Sequence, residues 1–122
     1  MLGDAAHAIT PFAGNGASQA MEDALAITAL FQQVKDVSQI PKAFEAFDAI
    51  RRPRSQKVVT LSRMFGKLYA FSEEGVGNDL EEIRKRMKEP AMFMSGIDLQ
   101  AQNDDIVKYF ENLLKTEKSV KY

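Results

Sequence analysis

Cysteine is absent from all 122 residues, which excludes disulfides, thiolate zinc sites and cysteine nucleophiles. Histidine occurs once, as His7, so the chain cannot assemble an imidazole-rich metal centre, and no metal ligand is expected. No apolar run approaches the roughly 20 residues of a bilayer span, and no basic stretch leads into an apolar one at Met1. A formal net charge of −1 removes the electrostatic basis for general nucleic-acid or membrane-surface binding. These absences lead to the expectation of a soluble, cytoplasmic protein with no nucleic-acid partner and no membrane span. Strand signals are also nearly missing, confined to Met1–Leu2 and Ile9.

What remains is mostly helical periodicity in a chain long enough for a real core. After Gly16, the positions Ala17, Ala20, Met21, Ala24, Ile27, Phe31 and Val34 fall at helical spacing. Ser38 is placed to cap a second helix, with Pro41 near its first turn and a stripe of Ile40, Ala43, Phe44, Phe47 and Ile50. Pro53 should end or kink that helix. Val58, Leu61, Ser62, Phe65, Leu68 and Tyr69 mark a third, reaching about Phe71. Asp79 and Glu82 have capping-box spacing and open a charged helix that should stop near Pro90, with 92–96 irregular or a short helix. Ile106, Val107, Phe110, Leu113 and Leu114 define a last helix, and Thr116–Tyr122 reads as a polar, frayed tail.

Charge is segregated. Residues 1–50 hold six acids and two bases, whereas 51–68 hold six bases and no acid. A basic run of this kind is most simply a solvated helix face that pairs with the acidic first half. The stripe Phe44, Phe47, Phe65 and Leu68 reads as core, and Met87, Met92, Phe93 and Met94 as core filler or an adaptable interface.

The stretch from Leu2 to Ala24 carries more chemistry than any other. An apolar strand end should run into a Gly3-Asp4 turn, followed by a Pro/Gly loop and a helix start at Gly14 and Gly16. Glycines in tight connections have an ordinary use, since they accept positive φ. They can also let a flat ligand approach the backbone, where a helix N-terminus favours negative charge. His7 has no visible carboxylate partner and is read as structural rather than as a base.

Taken together, Gly3-Asp4-Ala5-Ala6-His7, Pro11, Gly14-Asn15-Gly16-Ala17 and Glu22-Asp23-Ala24 resemble the second flavin-binding motif of the flavin-dependent aromatic hydroxylases, the family of the salicylate and para-hydroxybenzoate hydroxylases. Phe47 followed by Arg51-Arg52-Pro53-Arg54, and Ser62-Arg63 beyond it, resemble the same family. The resemblance implies FAD as cofactor, NAD(P)H as reductant and a small aromatic substrate hydroxylated through a flavin hydroperoxide. It makes Gly3 the cofactor-binding motif glycine, and places Asp4 at the ribityl chain, Pro11 along the isoalloxazine edge, and Gly14, Asn15, Gly16 and Ala17 on the N1–C2=O side. No residue is assigned a catalytic role.

The resemblance also defines what the chain does not contain. No Gly-x-Gly-x-x-Gly links a strand to a helix, and the middle motif and substrate-domain sheet of the family are missing. The fold expected is therefore mainly α, the C-terminal helical portion of an α/β FAD-binding fold of the glutathione-reductase type. It would lack the Rossmann half and the substrate-domain sheet. Residues 1–72 would form the second FAD motif with its following helices, and 73–122 a helical segment with a polar tail. Such a chain is expected to be an incomplete monooxygenase, inactive alone, with an apolar face of the helix from Ala17 left exposed. A helical interaction or regulatory module, or part of an epoxidase or halogenase-like FAD oxidoreductase, are the alternatives.

Overall fold

A computed structural model describes the backbone of residues 1–120 and the side chains through Thr116. All regular structure among the described residues is helical: α1 (Asp4–His7), α2 (Gly16–Phe31), α3 (Ile40–Tyr69), α4 (Leu80–Ser95) and α5 (Leu99–Val120). Short 3-10 turns occupy Pro11–Ala13 and Val37–Gln39. None of the described helices is long and apolar enough to cross a membrane.

The strand expected at Met1–Leu2 is not formed, nor is one at Ile9. A strand needs a neighbour to satisfy its backbone, and no described residue supplies one. The Gly3-Asp4 turn is instead the start of α1, with the Ala6 and His7 amides donating to the Gly3 carbonyl at 2.9 and 3.0 Å. Ser38 is not the cap before α3. It lies inside the 3-10 turn Val37–Gln39 that leads into α3, and Asp36 caps that turn, accepting from the Ser38 amide at 2.8 Å. Hydrogen bonds from the Ser38 hydroxyl and amide hold the Asp36 carboxyl below its ordinary pKa.

Neither interior proline ends its helix. Pro53 lies inside α3, which runs unbroken through the two expected helices, and Pro90 lies inside α4. An interior proline costs about 3 kcal/mol, so packing on both sides must exceed that. Around Pro53 the buried neighbours are Phe47, Arg51, Ser55 and Val58; around Pro90 they are Ile83 and Met94, on one face of the helix. Met92–Ser95 are accordingly the last turn of α4. The start of α4 follows expectation, with Asp79 accepting from the Glu81 and Glu82 amides at 3.0 and 3.1 Å. Asp98 caps α5 in the same manner, through the Ala101 amide at 2.9 Å. The polar tail expected from Thr116 is helical to Val120, and 121–122 lie outside the described residues.

The chain divides into two compact units. One comprises residues 1–20 and 55–97, and its core holds Val58, Phe65, Leu68, Val76, Ile83 and Met94. Met87 and Phe93 pack against that core, while Met92 is exposed. Lys57 Nζ lies 4.1 Å from the centre of the Phe93 ring, a cation–π contact. The other unit comprises 21–54 and 98–122, with a core of Ala26, Leu30, Ala43, Ala46, Phe47, Ile106 and Phe110. Phe44 was expected in the core but is 48% exposed, edge-on to Phe31 at 5.8 Å.

α3 stops where Phe71 takes a left-handed φ of 54°. The Ser72 amide then returns to the Lys67 carbonyl at 2.9 Å, closing the helix end. A side chain with a Cβ is strained there. Phe71→Gly should therefore exceed Phe71→Ala in stability by about 1 kcal/mol, since both lose the ring and only one relieves the backbone. Urea unfolding of the two variants measures the difference.

Candidate functional site

The loop between α1 and α2 is built by conformational restriction at few positions. Gly3 (φ 55°) precedes α1, and a Cβ there would lie 3.9 Å from the Ala20 Cβ. Thr10 is extended, Pro11 starts the 3-10 turn with its preset φ, and Gly14 (φ 61°) ends it in the left-handed region. The Gly14 amide donates to the Pro11 carbonyl at 3.0 Å. The turn also rests on α3, where the Ser62 hydroxyl donates to the Thr10 carbonyl at 2.6 Å.

Asn15 then opens α2. Its carbonyl accepts from the Gln19 amide at 3.1 Å, and its side-chain oxygen accepts from Gln19 Nε2 at 3.1 Å. Gln19 is fully buried, so this pairing fixes the first turn of the helix. The remaining first-turn amides have no acceptor within the helix and carry its positive dipole end.

These pieces surround one open concavity of about 670 Å³. Asp4, Pro11, Gly14, Asn15, Gly16 and Ala17 line it, together with Ile9, Thr10 and Ala20. Six of the seven residues singled out in the sequence are thus brought together, and Gly3 stands behind them as the residue that turns the chain into α1. Asp4 is the only charged residue in the lining. Gly14 needs to be glycine for its backbone. Gly16 does not: its φ is not left-handed, and a Cβ there would meet nothing within 4 Å. His7 is buried at 4% exposure and does not line the concavity.

The acidic and basic runs do pair, but not on a solvated face. Arg51 is 1% exposed, and its Nη1 donates to Glu22 Oε2 at 2.6 Å and to Gln102 Oε1 at 3.1 Å. Its Nε donates to Asp23 Oδ1 at 2.9 Å. Arg54 reaches Glu22 Oε2 and Oε1 at 2.7 and 2.8 Å. The buried face of α2 is therefore Gln19, Glu22, Asp23, Ala26 and Leu30, while Ala17, Ala20, Met21 and Ala24 are exposed. Arg52, which pairs with Asp48 four residues earlier, behaves as the surface ion pair expected of the whole run, and Lys67 is exposed too but pairs with Glu73, outside the acidic first half.

The FAD binding domain family matches residues 1–62, the span that carries the loop and the whole Arg51–Arg54 segment. The chain belongs to that family. Among curated relatives of this FAD binding domain, the 6-methylsalicylate 1-monooxygenase of Aspergillus terreus is 38% identical over 121 residues, covering 99% of this chain and 27% of the relative. A salicylate hydroxylase of Pseudomonas putida is 38% identical over 78 residues, covering 63% of this chain and 18% of the relative. A solved salicylate hydroxylase substrate complex superposes with a TM-score of 0.82 at 35% identity, over 88% of this chain and 26% of that one. The expected resemblance to flavin-dependent aromatic hydroxylases holds, and the chain spans about a quarter of the length of the 6-methylsalicylate 1-monooxygenase and of that solved structure.

Proposed function

We propose that Gly3–Ala17 forms one wall of an FAD site in a monooxygenase that hydroxylates a small aromatic substrate with electrons from NAD(P)H. Gly16 carries the reading. Neither its backbone nor its neighbours require glycine, so the missing side chain is best explained by what lies in the open space beside it. The lining suits a flavin: one carboxylate for ribityl hydroxyls at Asp4, a rigid apolar edge at Pro11, close backbone approach at Gly14 and Asn15, and helix-start amides at Gly16 and Ala17. Bound FAD would supply the electron transfer and oxygen activation. The protein's part here is to orient the ring and to set amides against negative charge on the N1–C2=O side.

In this reading the helices are a portion of an α/β FAD-binding fold, and the remaining walls of the site come from a Rossmann half and a substrate-domain sheet. The relatives, about four times as long as this chain, support it. The exposed Ala17, Ala20, Met21 and Ala24 face of α2 is then the surface on which such a sheet would pack. In this reading the enzyme works in the cytoplasm, where NAD(P)H is at hand.

One wall should hold FAD weakly, with a Kd in the millimolar range, about −4 kcal/mol. NMR titration of the purified chain with FAD should shift the Asp4, Gly14, Gly16 and Ala17 amides and leave α5 untouched. Gly16→Val should abolish those shifts and change stability by no more than about 0.5 kcal/mol, because its side chain enters open space. Equal shifts in Gly16→Val and the wild type would sink the assignment. Micromolar binding, or NAD(P)H-dependent hydroxylation by the chain alone, would overturn the one-wall reading.

A further inference from the structure

Ser62 is fully buried in the C-terminal third of α3, far in sequence from the loop it touches. Its hydroxyl has one proton and two lone pairs, and all three are used. The proton goes to the Thr10 carbonyl at 2.6 Å. The Thr10 hydroxyl, 2.9 Å away, must therefore be the donor in that second contact. The Ala13 amide donates to the same oxygen at 3.3 Å. One side chain thus ties the residue before the 3-10 turn to the residue that ends it, and Pro11 is held between them.

Gly66 lies one turn further along the same face of α3. A Cβ there would meet the Phe12 ring at 2.5 and 2.6 Å, closer than any real contact. The glycine is thus a seat for the ring, which is itself half-exposed. Its φ is not left-handed, so backbone conformation gives no other reason for glycine in the last turn of α3.

We infer that Ser62 and Gly66 are positioning residues, a saddle on α3 that holds the Thr10–Ala13 turn and so sets where Pro11 and Gly14 stand in the flavin-facing wall. The inference rests on the FAD reading of that wall. Neither residue lines the concavity, so each acts through the loop. Ser62→Ala removes the acceptor of the Ala13 amide and the donor to the Thr10 carbonyl together. Gly66→Ala forces the Phe12 ring off its seat.

Amide hydrogen exchange on the full chain tests this without FAD. Ser62→Ala should speed exchange of the Ala13 and Gly14 amides about tenfold while the α5 core amides keep their protection. Thr60→Ala, which removes an exposed hydroxyl bonded only to its own helix, should leave the loop as in the wild type. Should Ser62→Ala fail to fold, the Gly66 series decides. Gly66→Ala should loosen the loop in the wild type and add nothing in a Phe12→Ala background, because the clashing ring is gone. Unchanged loop exchange, or equal acceleration across both units, would overturn the saddle, the latter because the role would be merely structural. A second arm adds FAD. Wild-type shifts at Gly14 and Gly16 should fall at least about tenfold in affinity in Ser62→Ala, and equal affinity would refute the positioning role. No wild-type response at all would overturn the flavin reading beneath it, while the exchange data would still judge the clamp.

Discussion

Arg51→Leu should lower the folding free energy by about 3–5 kcal/mol, the usual result of removing one partner from a buried charge cluster. The guanidinium is 1% exposed and donates to Glu22, Asp23 and Gln102, so its loss takes a charged partner from two carboxylates at 4% and 2% exposure. Arg54 still holds Glu22 through two hydrogen bonds. The pairing therefore predicts strong coupling. Adding Asp23→Leu to Arg51→Leu should destabilise far less than the two single losses summed. Urea unfolding of the three variants gives the cycle. A loss below about 1 kcal/mol for Arg51→Leu would mean that the cluster behaves as an exposed ion pair, contrary to its burial.

That cluster also shows where a sequence stops being legible. The opposed acidic and basic runs announced that they would pair, yet periodicity read from apolar residues alone assigned α2 the wrong buried face. Ala17, Ala20, Met21 and Ala24 keep helical spacing and are exposed, whereas the polar Gln19, Glu22 and Asp23 are inside. Burial of charge depends on a partner 28 or 29 residues away, and no local pattern reports that partner's direction. Pro53 and Pro90 mislead for a related reason. Their local penalty is real, but buried residues on both sides of each proline decide the outcome. Features set locally were readable: the Asp79 cap, the Pro11–Gly14 turn and the glycine at 16. The sequence marks Ser62 as part of a helix stripe and of the family likeness but not its contact with the loop, because a hydroxyl 52 residues from its acceptor leaves no spacing signal.

Phe110→Ala should have an effect as large as Arg51→Leu, about 3–5 kcal/mol, by a different mechanism. The ring is fully buried in α5, and the cluster around it holds Ala26, Ala43 and Ala46 beside Leu30, Phe47 and Ile106. Three alanines have no rotamers with which to move into a vacated volume, so relaxation must come from backbone shifts or from the few large neighbours. The cavity should therefore persist, and the loss should lie toward the upper end of the range. Phe44 makes the comparison sharp, because the same periodicity marks it as core. Its ring is 48% exposed and meets Phe31 edge-on at the surface, so Phe44→Ala should cost about half as much or less. Urea midpoints at unchanged m-value separate the two. Equal losses would mean that the α2–α5 core can collapse around an alanine at 110, and that its close packing is not what holds this unit together.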